Sequence, residues 1–177
     1  MGKIVLCIAA SLDGYIADEK GGVGFLFEKA RTEPDDDYAR FYAGVECMLF
    51  GSATWRQMVE EISPGKWGFA DKKCYVFSSR LEGATADVQF TGMSPEAFAV
   101  EVAAKAAGTV WLFGGRRLID SFMRADLIDE YWLYTMPVLL GGGVPLFTPR
   151  GAKMPLCLAR LGQTDGMAKA LYTRERE

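Results

Sequence analysis

The sequence predicts an α/β fold, with a mostly parallel central sheet, antiparallel C-terminal strands and helices on both faces. Three observations carry this. Strand-like apolar runs alternate with helix-period segments through about residue 136. Beyond that point only strand-like runs recur, and Asp165-Gly166 between two of them is a strong hairpin signal. No repeat, low-complexity tract or linker interrupts the pattern, so residues 1–177 are expected to form a single domain with one core.

Taken in order, residues 3–10 read as a buried strand that ends in small Ala9 and Ala10. Ser11-Leu12-Asp13-Gly14 is turn chemistry, and Tyr15-Ile16-Ala17 returns to apolar before a polar loop. Glu33-Pro34-Asp35-Asp36-Asp37 opens a helix, with an early proline and acidic residues that suit the dipole. Tyr38, Phe41 and Tyr42 follow at helical spacing, and Gly44 closes it. The three aspartates serve as cap and solvated face, or one turns inward to meet a polar ring; spacing alone does not separate them.

Residues 45–50 are the next strand. It runs into Gly51-Ser52-Ala53-Thr54, with a helical pattern from Trp55 to Ile62. A third strand, residues 74–77, ends at Ser78-Ser79-Arg80. Residues 88–90 form a short strand, and Ser94-Pro95-Glu96 caps a helix expected to run to Ala107. The strand 109–113 enters Gly114-Gly115-Arg116-Arg117, followed by a helix to Arg124. An aromatic strand, 129–136, stops at Pro137 and gives way to an apolar loop, 138–147, containing Gly141-Gly142-Gly143. Residues 157–161 and 168–174 are the closing strands.

Composition narrows the function. Half the residues are hydrophobic, about a quarter are charged, and the net charge is −3. No basic run offers a surface for nucleic acid, and no apolar run approaches the roughly 20 residues of a membrane span. The N-terminal residues enter a strand-like run without signal-peptide features, and a cytoplasmic location is expected by default. Cys7, Cys47, Cys74 and Cys157 lack metal-site spacing and read as buried free thiols, so no metal is expected. The chain has no histidine, which excludes Ser-His-Asp and Cys-His machinery. An enzyme built this way takes its hard chemistry from a cofactor.

Three strands, ending at Gly51, Ser78 and Gly114, finish in small, hydroxyl or arginine residues. In an open α/β sheet, ligands lie beyond the carboxyl ends of the strands. Glycines admit a pyrophosphate to a helix N-terminus, and hydroxyls beside an arginine suit a phosphate monoester. A long ligand, anionic in the middle with an additional phosphate, is the expectation, and NADPH meets it. No Gly-x-Gly-x-x-Gly fingerprint is present, which disfavours a standard Rossmann domain.

The spacing of Phe113-Gly114-Gly115, Leu118, Leu127-Ile128-Asp129-Glu130, Pro137-Val138-Leu139-Leu140-Gly141-Gly142-Gly143 and Pro145-Leu146-Phe147 resembles the dihydrofolate reductase-like family. Ser11-Leu12-Asp13-Gly14-Tyr15-Ile16-Ala17 and Phe50-Gly51-Ser52-Ala53-Thr54-Trp55 match two further signatures of that family. The likeness covers nearly the full chain and is closer to the branch holding the C-terminal reductase domain of the bifunctional riboflavin-biosynthesis deaminase-reductase.

The resemblance implies a three-layer fold of that family and an NADPH-dependent reductase. By resemblance, Ala10, Ile16 and Ala17 lie against the nicotinamide. Gly51, Ser52, Ala53 and Thr54 hold the pyrophosphate from one side, and Gly115, Arg116, Arg117 and Leu118 from the other. Ser78, Ser79 and Arg80 receive the adenosine 2′-phosphate. Asp37 is the implied catalytic polar group, with Asp13, Phe41 and Tyr134 at the substrate. The family usually carries arginine directly after the glycine at Gly51; here that residue is Ser52, which removes one phosphate donor unless Arg56, Arg116 or Arg117 substitutes. The implied substrate is 5-amino-6-(5-phosphoribosylamino)uracil. The alternatives are a dihydrofolate or pteridine reductase, or a non-catalytic nucleotide-binding relative. A homodimer is expected, with the loop 138–147 as a subunit contact.

Overall fold

A computed structural model describes residues 2–28, 35–149 and 151–175. In chain order the strands are β1 (Ile4–Ser11), β2 (Tyr15–Ala17), β3 (Val45–Gly51), β4 (Lys73–Phe77), β5 (Gln89–Thr91), β6 (Thr109–Gly114), β7 (Glu130–Met136), β8 (Val144–Pro145), β9 (Leu156–Thr164) and β10 (Met167–Arg174). The helices are α1 (Asp36–Ala43), α2 (Ser52–Gln57), α3 (Pro95–Glu101) and α4 (Arg116–Arg124). The expected helix start at Glu33 and Pro34 lies outside the described residues; within them, Asp35 caps α1 by accepting the N–H groups of Asp37 and Tyr38.

An 8-stranded sheet runs in the order β5-β4-β3-β6-β1-β7-β10-β9. All pairings from β5 to β7 are parallel, whereas β10 is antiparallel to β7 and β9 to β10. The mixed sheet is the one the sequence pattern predicts. Short β2 and β8 pair separately beside the end of β1. Asp165 (φ 46°) and Gly166 (φ 75°) make the β9–β10 turn, both in the left-handed conformation that a two-residue hairpin favours.

Alternation along the strands divides the core between the two faces of the sheet. Leu6, Leu49, Val110 and Leu112 face one side, where Phe98 of α3 and Ile119 and Phe122 of α4 close over them. Val5, Met48, Phe50 and Trp111 face the other, beneath Phe41 of α1 and an aromatic group that includes Trp55, Trp67 and Phe69. Phe50 is fully buried there, with ring centroids 4.7 Å from Phe113, 5.3 Å from Trp67 and 5.9 Å from Phe69.

Three local expectations are corrected. First, α2 begins at Ser52, not Trp55, and its last turn widens into a π-turn over Met58–Ile62. Second, α3 stops at Glu101 instead of running to Ala107, and a 3-10 turn follows at Ala103–Lys105. Tertiary bonds pull the chain off the helix path: Gly2 N–H donates to the Ala103 carbonyl at 3.1 Å, and Ala107 and Gly108 N–H donate to the Glu46 carboxylate at 2.6 and 2.8 Å. Third, Cys157 is an exposed thiol, unlike buried Cys7, Cys47 and Cys74. It sits on β9, an edge strand paired only with β10 and left open to solvent along with Leu158 and Leu161.

The core and the edge should respond differently to truncation. Phe50→Ala is expected to cost about 3–5 kcal/mol in urea unfolding, because it empties the centre of the ring cluster. Leu161→Ala on exposed β9 should stay within about 0.5 kcal/mol of the parent.

Candidate active site

Strands β1, β3, β4, β6 and β7 all end at one edge of the sheet, with Gly51 opposite Phe77, Phe50 opposite Gly114 and Ser11 opposite Met136. Two of them finish in glycine, and there the turns touch through bare backbone. A Cβ on Gly51 would lie 3.5 Å from the Gly115 nitrogen and 3.8 Å from Leu118 Cβ. A Cβ on Gly115 would meet Thr54 Oγ1 at 2.7 Å, closer than a side chain can come without displacing it. Gly114 has φ +122°, which only glycine adopts readily, and its peptide bond to Gly115 is cis. Gly115 then caps α4 with no side-chain acceptor, so the first N–H groups of that helix keep their hydrogen-bonding capacity and its positive dipole end is left bare.

Arginine pairing separates this edge from the rest of the surface. Arg40, Arg124, Arg160 and Arg174 each pair with an aspartate. Arg56, Arg80, Arg116 and Arg117, which follow the ends of β3, β4 and β6, have no ion pair among the described residues. The chain therefore sets four uncompensated guanidinium groups on elements that leave one sheet edge, beside a glycine-lined contact. This donor set fits a polyanion. Ser78 Oγ accepts the Arg80 and Leu81 N–H groups at 3.1 and 2.9 Å and so shapes the turn, while Ser79 and Arg80 stand exposed on it. Ser52 opens α2, Ala53 is exposed beside it, and Thr54 faces Gly115.

The residues expected near a nicotinamide also gather. Ala10, Ile16 and Leu118 pack in one apolar cluster with Leu146, and Ala17 is buried against β8. Asp13 has a different setting. It accepts Ser11 Oγ at 2.6 Å, Leu140 N–H at 3.1 Å and Gly141 N–H at 2.8 Å, tying the loop after β1 to the loop after β7. The Ser11 hydroxyl is the main reason its carboxyl titrates below the usual range.

Asp37, the implied catalytic group, is turned toward β9 and β10. It meets Arg40 at 2.7 Å, Arg160 at 2.9 Å and Lys169 at 2.9 Å, and lines a shallow hollow with Trp132, Arg160, Lys169, Ala170 and Leu171. Lys169 first and Arg40 next hold its carboxyl far below the normal range. A group that strongly ionised is a poor proton donor at neutral pH. Phe41 is buried with its ring 5.2 Å from Trp111 and 5.1 Å from Trp132, which makes it part of the core.

Tyr134 is buried in the middle of this region, on β7 between Ala9 of β1 and Lys169 of β10. Its hydroxyl meets no hydrogen-bond partner at normal geometry among the described residues, and the Asp35 carboxylate is the near group that acts on it. Burial first, then Cys7 and Asp35, push the phenol far above its ordinary pKa, so it stays protonated. Leaving a buried hydroxyl unpaired costs about 1–3 kcal/mol. Lys169 is the participant that sequence reading missed. A lone lysine in Ala168-Lys169-Ala170 carries no motif, and the carboxylates it meets lie more than 120 positions away in sequence.

Comparison with known proteins fits this geometry. Residues 2–166 match the RibD C-terminal domain. The chain belongs to that family. The Bacillus subtilis (strain 168) protein YwjB, itself uncharacterised, is 36% identical over 146 residues, covering 82% of both chains. A Shewanella sp. PV-4 structure named for riboflavin biosynthesis superposes with a TM-score of 0.85 at 27% identity, over 99% of this chain and 100% of that one. Two more distant structures share the fold. The Thermotoga maritima diaminohydroxyphosphoribosylaminopyrimidine deaminase/5-amino-6-(5-phosphoribosylamino)uracil reductase gives a TM-score of 0.70 at 15% identity, over 98% of this chain and 56% of that one. Enterococcus faecalis dihydrofolate reductase, complexed with NADP(H), gives 0.67 at 16%, over 98% and 97%. Membership of the RibD C-terminal domain family supports a reductase-like function for this chain.

The glycine contact can be tested without any ligand. Gly115→Ala should destabilise the protein by about 1–3 kcal/mol through overpacking on Thr54. Thr54→Ala removes the obstructing oxygen, so the double variant should recover at least about 0.5 kcal/mol relative to the sum of the singles, read by denaturant unfolding.

Proposed function

We propose that this RibD C-terminal domain protein is an NADPH-dependent reductase of a small heterocyclic substrate, with 5-amino-6-(5-phosphoribosylamino)uracil as the preferred one. The observation that carries the reading is the set of arginines, Arg56, Arg80, Arg116 and Arg117, that follow the ends of β3, β4 and β6 without an ion pair among the described residues, on the sheet edge where Gly51 meets Gly115. Ser52 leaves the usual arginine position empty, and three of these four guanidinium groups lie close enough in sequence to that turn or its partner to replace it.

NADPH bound along this edge would supply the hydride. The protein's part is to bind, orient and exclude water. Gly51, Ser52, Ala53 and Thr54 would take one side of the pyrophosphate, and the uncapped start of α4 with Arg116 and Arg117 the other. Ser78, Ser79 and Arg80 would hold the 2′-phosphate. Ala10, Ile16 and Ala17 would present an apolar wall to the nicotinamide, with Leu118 on the pyrophosphate side.

Arg80→Ala should weaken NADPH at least about tenfold and NADH much less, as a lost charge-assisted contact to one phosphate implies. Fluorescence titration with both nucleotides measures this, and an equal loss for the two would overturn the 2′-phosphate assignment. Absence of NADPH binding at micromolar concentration would sink the reductase reading and favour a non-catalytic nucleotide-binding relative. Faster turnover of dihydrofolate than of the aminouracil would move the substrate to the pterins.

We further propose that the protein is a homodimer. Leu139 and Phe147 on the loop 138–147, and Leu158 and Leu161 on open-edged β9, are exposed apolar side chains that a second copy would cover. Sedimentation should give a dimer that Leu161→Glu weakens if β9 is the contact, and Leu139→Glu if the loop is. A monomer at high micromolar concentration would reject the proposal.

A further inference from the structure

The turn after β1 and the glycine loop after β7 are joined at several points. Leu12 N–H donates to the Val138 carbonyl and Leu146 N–H to the Gly14 carbonyl, both at 2.8 Å. Between these bonds β2 pairs with β8, Tyr15 opposite Pro145 and Ala17 opposite Val144. A Cβ on Gly143 would overlap the Ala17 carbonyl oxygen, and Gly143 has φ +136°, so this approach needs a glycine. The joint at Asp13 is made by a side chain. Asp13 Oδ1 accepts Leu140 N–H at 3.1 Å and the Ser11 hydroxyl at 2.6 Å, and Oδ2 accepts Gly141 N–H at 2.8 Å. The same Ser11 oxygen accepts Tyr15 N–H at 2.9 Å, which closes the turn around Asp13.

We propose that Asp13 is a positioning residue and not a substrate ligand: by anchoring the loop 138–147 it fixes Ile16 and Ala17, the wall offered to the nicotinamide. The role of that wall rests on the reductase reading above; the anchoring of the loop does not. Two observations carry the assignment. Three donors already converge on the carboxylate in the free protein, two of them from a segment more than 120 positions away. Bonds to an ionised acceptor are roughly twice as strong as neutral ones, so a ligand would have to displace a strong contact to use this group. Second, the anchored loop runs on into β8 and Leu146, and Leu146 is buried in the cluster that holds Ala10 and Ile16. A shift of the loop at Leu140 and Gly141 is therefore carried within a few residues to the strand that backs Ala17.

The loop needs an anchor because of its composition. Gly141, Gly142 and Gly143 follow one another, and glycine loses more conformational freedom on ordering than any other residue. Asp13 holds the chain where this run begins, and the Gly143–Ala17 contact holds it where the run ends. Both oxygens of the carboxylate are required. Asp13→Asn keeps the size of the side chain but replaces one acceptor by an NH2 group. Leu140 and Gly141 donate to different oxygens, so that NH2 group faces an N–H donor whichever way the amide is turned.

The test compares the parent with Asp13→Asn and Gly143→Ala. In Asp13→Asn, amide hydrogen exchange should speed up at least about tenfold at Leu140, Gly141 and Leu146, as a lost charge-assisted bond implies. Val110, whose N–H donates to the Lys3 carbonyl near the start of β1, should exchange as in the parent. NADPH and NADH should both weaken about five- to tenfold through lost preorganisation of the wall. Adenosine 2′,5′-bisphosphate, the part of NADPH without the nicotinamide nucleotide, should bind as before. With NADPH saturating, kcat on the aminouracil should fall about tenfold while its KM changes less than about twofold. Gly143→Ala disturbs the other end of the loop with Asp13 intact, and should give the same loss of NADPH with the bisphosphate kept. Unchanged exchange at Leu140 and Gly141 overturns the proposal with no ligand present. Parent NADPH affinity in either variant overturns the link from the loop to the wall. A KM for the aminouracil raised about tenfold, with kcat and NADPH affinity kept, makes Asp13 a substrate ligand and overturns it as well. If the parent binds neither nucleotide, the reductase reading fails and the role at the nicotinamide falls with it, while exchange still decides whether Asp13 anchors the loop. If the parent binds NADPH without reducing the aminouracil, the substrate reading alone fails, and the exchange and nucleotide measurements decide the role of Asp13.

Discussion

Two strand ends that approach without side chains set the geometry of this protein. Gly115 stands where a Cβ would press on Thr54, and Gly51 lies in ordinary contact range of the Gly115 nitrogen, so β3 and β6 deliver their following helices, α2 and α4, to the same point. The helix starts converge because the two turns touch. A larger residue at Gly115 would displace Thr54 and push the two turns apart. Everything proposed for the cofactor depends on this contact, and the parallel register of five strand ends keeps it at one edge.

Behind that edge the sheet is supported unequally. One face is closed by α3 and α4 over aliphatic side chains; the other is closed by α1 and a continuous group of rings around Phe50 and Trp111. Rings bury large areas with few rotatable bonds, which gives that face of the sheet little freedom to collapse. The first turn of α1 is fixed differently, by ion pairs to β9 and β10, strands added in antiparallel order. The C-terminal hairpin thus completes the core and also brings the cations that meet Asp35 and Asp37.

Much of the fold was legible because its signals are local. Apolar runs of strand length, the Asp165-Gly166 turn and the Ser94-Pro95 cap each act within a few residues, and their order implies a mixed sheet. Failures came where distant partners decided. The end of α3 is set by Gly2 and Glu46, far away in sequence, and Cys157 is exposed because nothing covers the edge strand that holds it. Propensity cannot register either fact.

The sequence by itself determined the alternation of elements, the absence of histidine chemistry, and the clustering of glycine, hydroxyl and arginine after three strands. These are properties of neighbouring residues. It left Asp35, Asp36 and Asp37 equivalent, since three adjacent carboxylates cap a helix equally well on paper. Only the tertiary structure distinguished them: Lys169 and Arg160 arrive from strands more than 120 positions away and, with Arg40, give Asp37 three cations, while Asp35 caps the helix and meets Lys169 alone. The strength of an electrostatic interaction depends on distance through space, and spacing along the chain does not encode it.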